Sequence, residues 1–227
     1  MNTNSERTGP SKKTVLVVDD HPLMRQGLSM LINQQQDMQV CGEAEEAQAV
    51  MQALAQKKPD IMILDISLNG PDGLELLKSI RAADPDLPVL VLSMHDEAIY
   101  AERALRARAN GYIMKQEATD KVLVALRRIL NGDVYLSDRM SNKMLQQFIG
   151  GAPSTIQSRI SLLSDRELEV FRLIGDGRAT REIAEELHLS IKTVETYQAH
   201  IKEKLDLRSG RELIQYAIQW KINEKPA

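Results

Sequence analysis

The chain predicts an α/β architecture, a doubly wound parallel five-stranded sheet followed by a small all-α domain, and three observations carry that prediction. Between residues 14 and 136, short apolar runs alternate with helix-length segments whose apolar residues recur every three to four positions. The runs are continuous rather than alternating, the pattern of parallel strands buried on both faces beneath crossover helices. Beyond residue 137 the strand pattern stops, and Ser or Thr stands in front of helical runs at Ser164, Thr180, Ser190 and Ser209, where such residues cap helix starts.

In order, the strands are read as TVLVV (14–18), QVCGEA (39–44), IMIL (61–64), PVLVLS (88–93) and GYIM (111–114). Leu23, Leu28, Leu31 and Ile32 give the apolar face of the first helix, Val50, Leu54 and Ala55 that of the second, and Leu74, Leu76, Leu77 and Ile80 that of the third. SDRMSNKMLQQF (137–148) reads as a short helix with Met140, Met144, Leu145 and Phe148 as its apolar positions, and IGGAPSTIQS has linker composition. SDRE (164–167) and SGRE (209–212) fit the capping box, in which hydroxyl and carboxylate satisfy the orphan amides of a helix start. The expected organisation is a first domain over 14–136, a linker helix and flexible linker over 137–161, and a helical domain over 162–227.

Composition bounds the function. With 227 residues and 43% hydrophobic content, the chain has enough material for two cores. A net charge of -3 and a pI near 5.9 give no support to nucleic-acid binding at whole-chain level. A single cysteine, Cys41, excludes an internal disulfide and suits a reducing compartment; it reads as a small core residue on its strand. The start, MNTNSERTGPSKK, lacks the apolar centre of a signal peptide, and no apolar run approaches the roughly 18 residues of a membrane span. A cytoplasmic protein with no membrane partner is expected.

Ligands of a doubly wound sheet gather at the carboxyl ends of its strands, and that rule turns scattered residues into neighbours. LVVDDH ends the first strand at Asp19 and Asp20, IMILD ends the third at Asp65, VLS ends the fourth at Ser93, and GYIMK ends the fifth at Lys115. Clustered carboxylates repel unless a cation compensates them, and a hard divalent ion such as Mg2+ suits carboxylates plus phosphate oxygens. The chemistry indicated is phosphoryl transfer onto an aspartate, with Asp65 as nucleophile and the metal and Lys115 neutralising charge. His21 precedes Pro22 and reads as a helix-start or surface residue rather than a ligand.

With VVDDHPLMRQGL, ILDISL, DGLELL, VLSMHDE and GYIMK in place, residues 14 to 136 resemble the receiver domain of two-component response regulators, and the whole chain resembles the nitrate-type (NarL/FixJ) subfamily. The resemblance implies a flavodoxin-like fold with Asp65 as phosphoacceptor and Asp19 and Asp20 as magnesium-site acids. It also implies that Ser67 lends a backbone carbonyl to the metal, Ser93 is the switch hydroxyl, Lys115 the phosphate counter-ion and Tyr112 the aromatic that repositions on activation. The chain departs from the family pattern at Asn69, where proline is common, at Met94, where a small residue is common, and at Arg108, where glycine usually ends the helix.

In the tail, TREIAEELH, a tight turn and SIKTVETYQAHIKEKL have the layout of a helix-turn-helix. Val194, Tyr197, Ile201 and Leu205 fall at core spacing, leaving Lys192, Thr193, Glu195, Thr196, Gln198, Ala199 and Lys202 as a polar face able to reach bases and phosphates in a major groove. Charge does not single this domain out, since residues 151–227 hold 12 Lys/Arg and 12 Asp/Glu; a protein-binding bundle fits the composition equally well. Residues 162 to 220 resemble the LuxR-type DNA-binding domain through SDRELEV, IAEELHLSIKTVETY and IKEKLDLRS, with Tyr197 where histidine is common. In the last helix, Leu213, Ile214, Ala217, Ile218 and Trp220 read either as core or as the dimer face that the family places there.

These resemblances imply a phosphorylation-dependent DNA-binding transcription regulator rather than an enzyme. Its partners are then a cognate sensor histidine kinase, double-stranded DNA and, when phosphorylated, a second copy of the chain. Two alternatives stand beside it: an aspartyl-phosphate phosphotransfer enzyme, disfavoured because haloacid-type phosphatases need a second acid where this chain has Ser67, and a regulator that works without phosphorylation.

Overall fold

The computed structural model describes residues 12–66, 68, 73–94, 97–149, 159–160 and 162–224. Five strands, β1 (Lys13–Val18), β2 (Met38–Ala44), β3 (Ile61–Asp65), β4 (Val89–Ser93) and β5 (Gly111–Met114), form one parallel sheet in the order β2-β1-β3-β4-β5. Helices α1 (Pro22–Asn33), α2 (Ala47–Lys57), α3 (Gly73–Ala83), α4 (Glu97–Arg106) and α5 (Ala118–Leu130) connect and follow them, with a 3-10 turn over Lys115–Glu117. Then come α6 (Asp138–Phe148), α7 (Asp165–Gly175), α8 (Thr180–Glu186), α9 (Ile191–Leu205) and α10 (Gly210–Glu224). Contacts divide the chain into two compact units, 1–143 and 144–227, a division that falls within α6.

In the first unit the strand interiors are sealed on both faces, as their continuous apolar sequences require. Val15, Val17, Ile61, Ile63, Leu90, Leu92 and Ile113 pack with Leu28 and Ile32 of α1 and Val122, Ala125, Leu126 and Ile129 of α5. The alternate residues Leu16, Val18, Met62, Leu64, Val89, Val91 and Tyr112 belong to the opposite face and are equally buried. Cys41 is only half-buried, because β2 is an edge strand, and its Sγ lies 3.5 Å from the Val15 carbonyl.

Three apolar assignments fail for a helical reason. Leu23 is 85% exposed and Ala55 is exposed; Leu23 is five residues before Leu28 and so lies off the stripe that Leu28 and Ile32 define. Likewise Leu145, one residue past the stripe through Met140 and Met144, is exposed while Met140 is buried. The Phe148 side chain lies outside the described residues, as do Ser67 and Asn69.

Arg108 adopts φ 67° just past α4, so a left-handed arginine, not Asn110, ends this helix, and the Ala109 amide closes back on the Ala104 carbonyl. Buried Arg81 of α3 secures the turn: its Nε and Nη2 donate to the Arg108 carbonyl at 3.0 and 2.8 Å, and its Nη1 donates to the Leu87 carbonyl. Gly73 opens α3 so close to the segment after β3 that a Cβ there would stand 2.3 Å from the Ile66 Cα.

The second unit packs Leu168, Phe171 and Ile174 of α7 with buried Ile183, Val194, Ile201, Leu205, Leu213, Ala217 and Trp220, and the Phe171 and Trp220 rings lie 5.2 Å apart. Ser164 forms a full capping box with Glu167. At SGRE the box is half formed: the Glu212 amide donates to Ser209 Oγ at 3.2 Å, but the Glu212 carboxylate takes the Arg208 amide instead. Thr180 is not a cap either, since α8 begins with it and the capping position falls on Ala179. In α10, Leu213, Ala217 and Trp220 are buried, whereas Ile214 and Ile218 are exposed.

Candidate functional site

The carboxyl ends of β1, β3, β4 and β5 deliver the polar residues of the first unit to one place. Parallel register sets Val18 beside Leu64, Asp65 beside Leu92 and Ser93 beside Met114. Asp19, Asp65, Ser93 and Lys115 are buried polar residues at the end of an otherwise apolar sheet. Lys115 Nζ lies 2.7 Å from Asp65 Oδ2 and 2.8 Å from Asp19 Oδ2, joining the ends of three strands through one ammonium. Burial pulls the Lys115 pKa down, but the carboxylates of Asp65 and Asp19 outweigh it and hold it above its ordinary value.

The loop after β1 is braced by Arg25, which the sequence leaves without a role, and by His21, which it reads as a helix-start or surface residue. Arg25 Nη1 donates to the Asp19 carbonyl at 2.6 Å, and its guanidinium pairs with Glu43 and Glu45 of the β2 end. The His21 amide donates to Asp19 Oδ1 at 2.9 Å, and its imidazole Nδ1 lies 2.6 Å from Asp20 Oδ1. His21 is exposed and holds the capping position of α1 without a side-chain cap; its ring turns to the acids instead. The only sequence signal for that is adjacency to Asp20.

One ligand atom each from Asp19, Asp20, His21 and Asp65 falls within 4.8 Å of the others. Three of the four donors are carboxylates, hard oxygen ligands that fit a magnesium-like cation, and a second cation beside Lys115 would balance the third acid. Tyr112 is 1% exposed, its amide bonded to the Tyr135 carbonyl at 3.0 Å. Past β4, Met94 is 55% exposed, so its side chain extends into solvent rather than filling the core.

The start of α4 also meets the start of α6. Glu97 at the start of α4 accepts the Ser137 amide at 3.0 Å and the Ser137 hydroxyl, and Ser137 Oγ in turn accepts the Met140 amide at 3.1 Å. Glu97 thus holds the capping residue of α6.

In the second unit, α9 carries the polar face expected from its spacing. Lys192, Glu195, Thr196 and Ala199 are exposed, while Thr193, Gln198 and Lys202 are half-buried. Thr193 is drawn into the helix start, its amide donating to Ser190 Oγ at 3.0 Å. Opposite this face, buried Glu167 joins the cap of α7 to α9: its Oε2 accepts Ser164 N and Lys204 Nζ, both at 2.6 Å. Burial alone would raise the Glu167 carboxyl, but Lys204 and the Ser164 cap bring it below its ordinary value.

Residues 15–127 match the response regulator receiver domain, and residues 161–217 match the luxR family of bacterial regulatory proteins. The oxygen regulatory protein NreC of Staphylococcus carnosus is 36% identical over 212 residues, which span 92% of this chain and 98% of its own. NreC of Staphylococcus haemolyticus is 35% identical over the same shares. Among solved structures, the RcsB response regulator of Salmonella typhimurium is similar at a TM-score of 0.65 and 27% identity, covering 92% of this chain and 98% of that one. RcsB of Salmonella enterica serovar Typhimurium, bound to promoter rprA in the presence of the phosphomimetic BeF3-, gives a TM-score of 0.62 at 26% identity, covering 92% and 99%. A parallel sheet ending in an acidic cluster, a helical domain of luxR type and similarity over nearly the whole chain agree: the protein belongs to the NarL/FixJ family of response regulators, DNA-binding transcription regulators that join a receiver to a luxR-type helix-turn-helix.

Proposed function

We propose that Asp65 is the phosphoacceptor of this regulator, charged by a cognate sensor histidine kinase, and that its phosphorylation governs DNA binding through α9. The observation that carries the reading is the Lys115 ammonium held between Asp65 and Asp19 in a buried cluster of acids. An Asp65 carboxylate oxygen attacks phosphorus, the new O–P bond replaces the P–N bond of a phosphohistidine, and the departing imidazole keeps the electron pair. Lys115 then has a phosphoryl oxygen to pair with in place of a carboxylate oxygen, and the Ser93 hydroxyl at the neighbouring strand end is the group to turn toward it. Asp19, Asp20 and Asp65, with the Ser67 carbonyl, are the proposed Mg2+ ligands; the ion supplies neutralisation of charge on the transferring group. Movement of Ser93 and of buried Tyr112 carries the change outward.

For the DNA-binding half, a homodimer formed on phosphorylation presents two copies of α9 to half-sites about one helical turn apart. Lys192 and Lys202 supply salt-dependent affinity, and Thr193, Glu195, Thr196, Gln198 and Ala199 form the rest of the groove-facing set. The receiver is assigned to 14–136, the linker to 137–161 and the DNA-binding domain to 162–227; the extents of the two family matches support this division.

The test is labelling by acetyl phosphate, read by intact-mass spectrometry. One phosphoryl group should add to the wild-type chain only when Mg2+ is supplied, and Asp65→Asn should take none. Full labelling of Asp65→Asn would place the nucleophile elsewhere.

A further inference from the structure

Gln198 of α9 donates from Nε2 to the hydroxyl of Thr180, the first residue of α8, at 3.2 Å. Thr180 is available for this because it does not cap its helix. Ala179 occupies the capping position and has no side-chain acceptor, and its amide is taken by Glu182 Oε2 at 2.7 Å. Gln198 is half-buried, at the edge of the exposed face of α9 that carries Glu195 and Ala199. The two threonines of α9 turn their hydroxyls inward along the helix: Thr193 Oγ1 lies 2.7 Å from Ser190 Oγ, and Thr196 donates to the Lys192 carbonyl at 2.9 Å. Gln198 is bound across to the neighbouring helix instead.

We infer that Thr180 is a positioning residue for base choice, acting through Gln198. With one N–H of the carboxamide held by Thr180, the second N–H and Oε1 stand side by side as a donor and an acceptor. Adenine offers the complementary pair in the major groove, N7 as acceptor and N6 as donor. Fixing the amide before DNA arrives also reduces the side-chain freedom lost on binding. The inference rests on the reading of α9 as the helix that enters the groove.

Selection from a randomised duplex library, using the full-length chain treated with acetyl phosphate, tests it. The wild type should prefer A·T at one position of each half-site by about tenfold or more. Thr180→Val, which keeps the shape of the side chain but removes the hydroxyl, should cut that preference to about threefold or less, leaving other positions, the salt slope and the melting temperature unchanged. Thr180→Ser should restore it. Gln198→Ala should lose the same position, and adding Thr180→Val to it should change nothing further. A Thr180→Val variant that binds every sequence more weakly by one factor, or that keeps the preference Gln198→Ala loses, overturns the inference while leaving α9 as the reader. If Gln198→Ala and Lys192→Ala both bind with wild-type preference and salt slope, the reading of α9 itself fails, and the inference with it.

Discussion

Lys115 Nζ sits 2.7 Å from Asp65 Oδ2, and both side chains are sealed from solvent. The pair has a third member, Asp19, also buried and 2.8 Å from the same ammonium. Removing the cation takes away the ammonium that Asp65 and Asp19 share in a low-dielectric site, and breaking a buried pair costs about 3–5 kcal/mol. Lys115→Met should therefore melt well below the wild type in metal-free buffer. Mg2+ should recover more stability in the variant than in the wild type, because a bound cation there replaces a missing one. Thermal melts of both proteins with and without Mg2+ decide this, and equal gains would show that the metal does not share the acids with Lys115.

A second relationship joins distant segments. Ser137 caps α6 through the Met140 amide while its own amide and hydroxyl are held by Glu97 of α4. Ser137→Ala deletes the cap, worth about 1 kcal/mol, and leaves Glu97 half-satisfied. Hydrogen exchange at the Met140 and Ser141 amides should quicken while the central strands keep their protection. Ser137→Thr, which retains the hydroxyl, should exchange like the wild type.

The left-handed turn at Arg108 makes a contrary prediction, a gain. A residue with a Cβ at φ 67° carries roughly 1 kcal/mol of strain, and the clasp from Arg81 reaches only its carbonyl. Arg108→Gly relieves the strain but frees the unfolded chain, so the net gain should be a few tenths to about 1 kcal/mol. The urea midpoint should rise with an unchanged slope. A fall would mean that the arginine side chain contributes contacts of its own.

How much of this was legible follows from the range of each signal. Strand positions were readable because a parallel strand buried on both faces writes an uninterrupted apolar run, and the convergence of Asp19, Asp65 and Lys115 followed from strand ends sharing one edge of the sheet. Leu23 and Ala55 fall off the buried stripes, because counting apolar residues does not by itself fix their angle around a helix. Glu97 and Ser137 lie 40 residues apart, and Arg81 and Arg108 27 apart; periodicity is local and carries no trace of such pairings. Thr180 reads as a cap from its residue type, and only the helix boundary reveals that Ala179 stands there with Glu182 taking over one amide.

The acid limb of stability should show the hold of Asp60 on the first strand. This carboxylate, just before β3, receives Lys13 Nζ at 2.8 Å, the Thr14 amide at 2.8 Å and the Thr14 hydroxyl at 2.7 Å. Burial alone would raise its pKa, but the Lys13 ammonium and the two Thr14 donors outweigh that and hold it down to about 2, against an ordinary 3.8. Because the folded value lies below the unfolded one, the ionised carboxylate stabilises the fold above the ordinary value, and that contribution drains away as pH falls through the folded one. Asp60→Asn should thus be less stable than the wild type by a constant margin above pH 5, with the margin closing between about pH 4 and pH 2. Urea titrations of both proteins across that range measure the margin directly. The absence of any gap, even above pH 5, would mean that Asp60 acts through shape rather than charge, since Asn keeps the former and loses the latter.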